Sequence, residues 1–206
     1  MRHYATLYLV LLITLVISAC SGSDGPRLNP LATDAVILAF GDSLTYGTGT
    51  NKESSYPSLL QQLSKRQVIN AGIPGDVTAG GLERLAETIE EYQPQLLILC
   101  LGGNDMLRQK AAAEIESNLE AMIKISREQG VPVLLLGVPR PAIFGLESAD
   151  FYYSLAQRME IPLEAEIIPE VLSNRDLRSD QIHPNSKGYR LLAEGVYNKL
   201  RDSGAL

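Results

Sequence analysis

The sequence has no tryptophan, only two histidines and only two cysteines among its 206 residues. Without tryptophan the commonest platform for stacking on a sugar ring is missing, although nine tyrosines remain. So few histidines and cysteines leave too few ligands for a zinc-type centre, so we expect no metal site. Two cysteines are also too few for a disulfide framework.

Clustered positive charge is missing as well. The net charge is −6 and the pI is about 5.0. Nucleic-acid binding needs clustered lysine and arginine to neutralise phosphates. The densest basic spots are Lys65-Arg66 and residues 175–178, and Asp176 interrupts the second of them. We therefore expect a solvated charged surface and no nucleic-acid partner.

The hydrophobic run near the N-terminus is short. Residues 7–17 are almost all apolar, which is about eleven residues, whereas a helix needs roughly twenty to span a bilayer. Arg2 and His3 precede the run, as in a secretory signal peptide. Ile17-Ser18-Ala19-Cys20 resembles a bacterial lipobox, whose cysteine is diacylated and becomes the new N-terminus.

We therefore predict a signal peptide over residues 1–19, a lipid anchor on Cys20 and a flexible tether over residues 20–33, which are rich in Ser, Gly, Pro and Asn. The expected location is the bacterial cell envelope, facing the periplasm, and Ser21 in place of Asp favours the outer membrane. A plain signal peptide and an uncleaved anchor are the alternatives. Lipidation of Cys20 would leave Cys100 unpaired in an apolar run, where cysteine usually serves as a small core residue.

Beyond the tether, apolar runs alternate with amphipathic segments. The predicted strands are residues 35–40, 67–70, 95–101, 131–137 and 166–168. The predicted helices are residues 56–64, 78–92, 112–129, 148–160 and 186–200, with Gly130 as a C-terminal cap. This alternation predicts one three-layer α/β domain over residues 34–206, with a five-stranded parallel sheet and helices on both faces. We expect it to be a monomer.

Polar and glycine residues follow the predicted strands, where binding sites of such sheets form. Ser43 comes directly after the first strand, and a serine hydroxyl needs an adjacent base to become a nucleophile. Removal of the signal peptide would take away His3, so His183 is the histidine left to supply that base. Asp180, three residues earlier, can reach the far ring nitrogen and stabilise the imidazolium.

Acyl transfer also needs donors for the oxyanion. The candidates are the N–H groups of Ser43 and Gly75 and the side-chain amide of Asn104. Each feature alone has a structural alternative: Ser43 as a helix N-cap, residues 102–105 as a turn, and Asp180 as a cap for a helix opening at Ser186. Their combination at successive strand ends favours a hydrolase.

Four blocks in order carry a resemblance to a known family. Phe40-Gly41-Asp42-Ser43-Leu44 resembles the GDSL motif, and residues 70–76, 101–105 and 180–184 resemble the second, third and fifth blocks of the GDSL (SGNH) hydrolase superfamily. Gly81-Leu82-x-Arg84-Leu85 is similar to its bacterial arylesterase, acyl-CoA thioesterase I and lysophospholipase branch.

The resemblance implies a flavodoxin-like fold, a Ser43-His183-Asp180 triad and no metal or organic cofactor. Gly72 and Gly75 both lie in the second block, and the family position favours Gly75 as the oxyanion donor. Residues 140–151, where the family shapes its acyl pocket, diverge from the family pattern.

We expect the protein to be a serine esterase. Its substrate would be a small-molecule or lipid ester, such as an aryl ester, an acyl ester, a thioester or a lysophospholipid. One alternative is a carbohydrate or peptidoglycan O-acetyl esterase, and another is a non-catalytic lipoprotein that binds its ligand. Gly47-Thr48-Gly49 lacks the further residues of a nucleotide-binding loop.

Overall fold

A computed structural model of the protein describes residues 25–142 and 145–206. The strands are β1 (Val36–Gly41), β2 (Gln67–Gly72), β3 (Leu96–Cys100), β4 (Val133–Leu136), β5 (Pro139–Ala142), β6 (Gly145–Ser148) and β7 (Leu163–Glu164). The helices are α1 (Ser43–Tyr46), α2 (Tyr56–Ser64), α3 (Thr78–Tyr92), α4 (Gly103–Leu107), α5 (Ala112–Glu128), α6 (Asp150–Arg158), α7 (Ile167–Ser173) and α8 (Ser186–Asp202). Single 3₁₀ turns occupy Lys52–Ser54 and Arg175–Leu177.

The main sheet has five parallel strands in the order β2-β1-β3-β4-β7, which confirms the predicted architecture. Because β2 lies on one side of β1 and β3 lies on the other, right-handed crossovers put α2 and α3 on opposite faces. Helix α2 packs with α8, and α3 packs with α5. Every residue of β3 and β4 is buried, as expected for strands covered on both faces.

The predicted helix boundaries agree closely with the structure where start and stop signals are strong. Helices α2 and α3 have the predicted bounds. Helix α5 ends at Glu128, and Gly130 follows its cap with φ +74°. The N–H of Gly130 donates to Arg127 O and that of Val131 donates to Ser126 O, both at 2.9 Å, which closes the helix end.

The prediction of a fifth strand at residues 166–168 is wrong. The fifth strand is the two-residue β7, and residues 166–168 lead into α7. A carboxylate oxygen of Glu164 accepts from the N–H groups of Glu166 and Ile167, each at 3.0 Å, and starts the helix. The buried residues Ile168, Val171 and Leu172 recur with a helical period, which the short apolar run alone does not reveal.

The predicted helix over residues 148–160 is shorter than expected, because Ser148 ends β6 and α6 covers only Asp150–Arg158. Strands β5 and β6 pair as an antiparallel hairpin before this helix, and the last residue of the hairpin, Ser148, is the predicted first residue of the helix. The last helix continues beyond its predicted end at residue 200, to Asp202.

Part of the predicted tether lies on the domain. Leu28 is buried, and its N–H donates to Ser203 O at 2.7 Å, while the N–H of Leu31 donates to Ala205 O at 2.8 Å. Arg66 donates to the carbonyl oxygens of Leu31 and Ala32, both at 3.1 Å. Packing therefore begins at Leu28, several residues before the predicted start of the domain.

The predicted signal peptide, Cys20 and residues 20–24 of the tether lie outside the described residues. Over residues 25–142 and 145–206, no helix has the length and apolar character to span a membrane.

Candidate active site

The predicted site residues converge at the carboxyl edge of the sheet. Ser43 follows β1 and Asn104 follows β3, and these two strands are neighbours although β2 comes between them in the chain. The chain reverses its direction across the sheet at this point. Such a switch point opens a crevice between the two strand ends, which is where ligands bind in open α/β sheets.

Ser43 occupies the first position of α1, and the residue that caps this helix is Asp42. The carboxylate of Asp42 accepts from the N–H of Leu44 at 3.0 Å. The alternative that Ser43 is the N-cap is therefore wrong. A Cβ on Gly41 would lie 2.3 Å from Cys100 O, so only glycine allows β1 to turn into α1 this close to β3.

His183 connects Ser43 to Asp180. Its Nε2 lies 3.0 Å from Ser43 Oγ, and its Nδ1 lies 2.7 Å from Asp180 Oδ2. The side chain of His183 is 14% exposed and that of Asp180 is 52% exposed. A hydroxyl, an imidazole and a carboxylate thus follow one another within hydrogen-bond reach, although 140 positions separate the serine from the histidine. This is the arrangement in which an imidazole can take a proton from a serine hydroxyl.

The loop that carries His183 is held by hydrogen bonds within the loop itself. Asp180 Oδ1 accepts from the N–H groups of Ile182 and His183, each at 2.8 Å. Ser179 donates its N–H to His183 O at 2.9 Å. Asn185, rather than Asp180, caps α8 by accepting from its first N–H groups. Asp180 is therefore free of the capping role that the sequence left open.

Asp180 is held in its charged form. Partial burial acts to raise its pKa, but the hydrogen bonds from the His183 ring and from the N–H groups of Ile182 and His183 outweigh burial, so the pKa lies below its ordinary value. A charged Asp180 favours the tautomer of His183 that carries its proton on Nδ1 and leaves Nε2 able to accept from Ser43.

The two glycines of the second block have different surroundings. A Cβ on Gly72 would lie 2.2 Å from the backbone nitrogen of Tyr46, and the Gly72 N–H donates to the side chain of Asn70. Gly75 lies in an exposed turn with φ +80°, where a side chain would have space but the backbone favours glycine. Across residues 25–142 and 145–206, no protein acceptor takes the N–H of Gly75 or of Ser43.

The side-chain amide of Asn104 is engaged by two acceptors. Its Nδ2 donates to Asp76 O at 2.9 Å and to Asp42 Oδ2 at 3.3 Å. For Asn104 to donate to a substrate oxygen, one of these contacts has to be shared or released. The longer contact, to Asp42, is the weaker of the two by geometry.

Asp42 is nearly fully buried, at 2% exposure, beside this amide. Burial raises its pKa from 3.8 to about 6, and the carboxylates of Asp76 and Asp105 add to the rise, while the Leu44 N–H and the charge of His183 oppose it. From the sequence, Asp42 is only one residue of the GDSL motif, with no role of its own. Its position directly before Ser43 was the signal that could have indicated a role.

An apolar cavity of about 210 Å³ opens beside Ser43 and His183. Its described walls include the following aliphatic side chains: Leu44, Leu107, Val138, Leu146, Leu172 and Ile182. Leu146 comes from the β5–β6 hairpin, so the segment that diverges from the family pattern contributes to the cavity. These wall residues are not evident from the sequence, because each of the six comes from a different element or loop.

Metal ligands do not cluster in the described part of the chain. No group of three or more His, Cys, Asp or Glu side chains there is arranged to hold a metal ion. Cys100 is a free, fully buried residue of β3, as predicted for a core cysteine.

Comparison with known proteins identifies the family. Residues 39–191 match the GDSL-like Lipase/Acylhydrolase family. The chain belongs to this family. This esterase is 32% identical over 174 residues to the arylesterase of Vibrio mimicus, covering 80% of this chain and 87% of that protein. It is 30% identical over 172 residues to thioesterase 1/protease 1/lysophospholipase L1 of Escherichia coli, and the match covers 80% of this chain and 83% of that protein.

The fold agrees with this family. The crystal structure of TesA superimposes with a TM-score of 0.74 at 31% identity, covering 82% of this chain and 99% of that chain. The protein is thus a GDSL-type hydrolase of ester bonds, and its family acts on small ester substrates.

Proposed function

We propose that this GDSL-family esterase works through an acyl-enzyme on Ser43, with His183 as general base and Asp180 as the group that orients it. The observation that carries the proposal is the chain of contacts from Ser43 Oγ to His183 Nε2 and from His183 Nδ1 to Asp180, at 3.0 and 2.7 Å. A non-catalytic binding protein would not need this sequence of contacts.

In the proposed reaction Ser43 Oγ attacks the carbonyl carbon of the ester while its proton passes to His183 Nε2. The carbonyl oxygen becomes an oxyanion, which the N–H groups of Ser43 and Gly75 and the amide of Asn104 would stabilise. Collapse of this intermediate expels the alcohol or thiol, which takes the proton from His183. Water, activated by His183, then attacks the acyl-enzyme, releases the acid and regenerates Ser43.

The size of the cavity favours a substrate with a short or branched acyl group, which the cavity would enclose. Its volume of about 210 Å³ is below the roughly 300–1,000 Å³ of pockets that enclose whole drug-sized ligands. Longer acyl chains would extend past the rim, over Leu107 and Ile182, which are 60% and 42% exposed. Aryl esters and short acyl esters are therefore the substrates that we expect to be cleaved best.

An O-acetyl esterase acting on carbohydrate is the second candidate, because an acetyl group fits the same cavity. The described walls of the cavity include no aromatic side chain on which a sugar could stack, which favours the simple esters. A series of p-nitrophenyl esters from acetate to laurate, assayed beside a lysophospholipid, an acyl-CoA and an acetylated oligosaccharide, distinguishes them. Highest kcat/KM on the acetylated oligosaccharide would reverse our order of the two candidates.

We also propose that lipid on Cys20 holds the enzyme in the bacterial envelope. The lipobox-like sequence that ends at Cys20 supports this proposal. Bacterial lipoprotein anchors carry two or more acyl chains, which bind a membrane firmly. Leu28 meets Ser203 at the far end of α8 from the site, about 25 Å away at 1.5 Å per helical residue. The described chain therefore begins to pack on the domain at Leu28, at the end of α8 that lies away from the active site.

Expression of the full chain and of Cys20→Ala in a bacterial host tests the anchor. The unaltered chain should stay with the membrane fraction and carry the mass of acyl groups, whereas Cys20→Ala should lose both properties. Unmodified protein in the soluble fraction would contradict the anchor and leave the esterase mechanism unaffected. Separation of inner from outer membranes in the same experiment tests the expected outer-membrane location.

A further inference from the structure

Arg84 lies beside the catalytic loops without facing the substrate cavity. It belongs to α3, and its side chain is 20% exposed. The guanidinium carbon lies 3.7 Å from the centroid of the Phe40 ring, at the end of β1. A Cβ on Gly81, one turn earlier, would lie 2.4 Å from Leu101 Cδ1, so glycine lets α3 approach the sheet closely enough for Arg84 to reach the strand ends.

The guanidinium of Arg84 donates to two strand ends and one loop. Its Nη2 donates to Gly41 O at 3.0 Å and its Nη1 donates to Ala71 O at 3.1 Å. Its Nε donates to Asp76 Oδ2 at 3.0 Å, and Nη2 lies 2.9 Å from the same oxygen. Gly41 leads into Ser43 through one residue, and Asp76 directly follows Gly75.

The third loop is joined through Asp76. The backbone oxygen of Asp76 accepts from Asn104 Nδ2 at 2.9 Å, so the residue that Arg84 holds by its carboxylate in turn fixes the amide of Asn104. A planar guanidinium with five donors can make such contacts in fixed directions, whereas a lysine amine cannot. Arg84 thus contacts two of the loops that carry the proposed oxyanion donors directly, and it reaches the third, that of Asn104, through Asp76.

We propose that Arg84 is a positioning residue for the oxyanion hole, which sets the distances among the Ser43 N–H, the Gly75 N–H and the Asn104 amide. This inference rests on the oxyanion hole of the proposed function. It assigns to Arg84 an effect on the transition state, because a donor displaced by about 1 Å can lower the rate by roughly 100-fold. Substrate binding in the apolar cavity should change little.

Arg66 offers a matched control at the opposite edge of the sheet. It donates to three backbone oxygens, those of Ser64 at 2.7 Å and of Leu31 and Ala32 at 3.1 Å. Its removal takes away a comparable number of hydrogen bonds, far from Ser43. An effect of Arg84 on stability alone should therefore be reproduced by Arg66→Met, whereas an effect on catalysis should not.

The experiment measures kcat and KM for p-nitrophenyl butyrate, and thermal unfolding, for Arg84→Met, Arg84→Lys and Arg66→Met in the full chain. We expect Arg84→Met to lower kcat by about 10- to 100-fold with KM within about threefold, and Arg84→Lys to restore part of the rate. Arg66→Met should lower the unfolding temperature and keep kcat. Equal kcat values for Arg84→Met and Arg66→Met would overturn the inference.

A double-mutant cycle with Asn104→Ala separates the inference from the function on which it rests. If Arg84 acts through the oxyanion hole, Arg84→Met should lower kcat less in the Asn104→Ala background than in the unaltered enzyme, since the two losses overlap. Multiplicative losses would overturn the positioning role and leave the oxyanion hole intact. A fully active Asn104→Ala enzyme would instead overturn the oxyanion hole, and the inference with it.

If Arg84→Met does not fold, Asp76→Asn takes its place in both experiments. This substitution weakens the ion pair with Arg84 and keeps the backbone oxygen that accepts from Asn104. We expect the same selective loss of kcat, smaller than that of Arg84→Met. An unchanged kcat in a folded Asp76→Asn enzyme would count against the inference.

Discussion

The two edges of the sheet use arginine in different ways. At the amino edge the guanidinium of Arg66 donates to backbone carbonyls, and neighbouring contacts such as Leu28 N–H to Ser203 O join backbone groups. At the carboxyl edge Arg84 pairs with a carboxylate, and the side chains of Asp42 and Asp105 are both 2% exposed nearby. One edge joins segments of the chain, while the other concentrates buried charge.

The difference has an energetic reason. Backbone N–H groups and the half-buried guanidinium of Arg66 donate to carbonyl oxygens at the amino edge, and these contacts bury no carboxylate, so they add stability at little electrostatic cost. Burying a carboxylate is unfavourable, and burial is the main reason that the pKa of Asp42 is raised. Fixed dipoles and charges that are already in place can stabilise charge in a transition state. We therefore expect substitutions at the carboxyl edge to change the rate and those at the amino edge to change stability.

The largest expected effect tests the catalytic side of this comparison. Ser43→Ala and His183→Ala should each lower kcat by about 10⁴- to 10⁶-fold, and the double mutant should be no slower, because the two residues act as a unit. Steady-state kinetics on p-nitrophenyl esters and mass spectrometry after phosphonate labelling measure this. Ser186→Ala is the control, since the Ser186 hydroxyl contacts Thr50 at 2.6 Å and the residue lies three positions after His183, and we expect it to keep kcat. Normal ester hydrolysis by Ser43→Ala would exclude it as the nucleophile.

Asn104→Ala should lower kcat by about 10²- to 10³-fold, with a smaller change in KM, because an oxyanion donor acts mainly on the transition state. Kinetics and thermal unfolding should be measured together, since the substitution also removes the contacts to Asp76 and Asp42. A mutant that changes only KM would show that Asn104 binds the substrate in its ground state.

Asp42 should make the protein less stable as pH rises. Between the ordinary pKa of 3.8 and the native value of about 6, the folded state keeps a proton that the unfolded state has lost, so the free energy of unfolding falls by about 3 kcal/mol across this window. Above about pH 6 the loss is complete. Denaturant unfolding of the unaltered chain and of Asp42→Asn from pH 4 to 8 measures the effect.

The readout for Asp42 is the dependence on pH, because an amide at this position would put an NH₂ group opposite that of Asn104 and add a cost independent of pH. Asp42→Asn should therefore gain stability relative to the unaltered chain as pH rises from 4 to 6. A difference between the two proteins that stays constant over this range would contradict the raised pKa.

The smallest effect is expected at the amino edge. Leu28→Ala should lower the free energy of unfolding by about 2 kcal/mol, since it removes a buried side chain and leaves a partly filled space. It should leave kcat unchanged. Leu63→Ala, at a leucine that is 39% exposed, is the control and should have little effect on either quantity. A loss of activity in Leu28→Ala without a loss of stability would break the division between the two edges.

Local signals in the sequence predicted much of this protein. Pro57 near the start of α2, Pro94 beyond α3 and Gly130 beyond α5 define helix ends through backbone geometry that neighbours in the chain decide. The loop around His183 is also local, since Asp180 lies three positions away and accepts from two N–H groups of the same loop. The four family blocks therefore indicated which side chains the structure brings together, and their roles stay a prediction.

Tertiary structure decided what depends on contacts between distant segments. The two-residue β7 exists only because β4 pairs with it, and no hydrophobic period reveals so short a strand. The approach of His183 to Ser43 across 140 positions brings the loop before α8 to the end of β1. The bridging of Gly41, Ala71 and Asp76 by Arg84 requires α3 to lie against two strand ends. A sequence specifies which side chains can make such contacts, but the distances among them are set only when the sheet has formed.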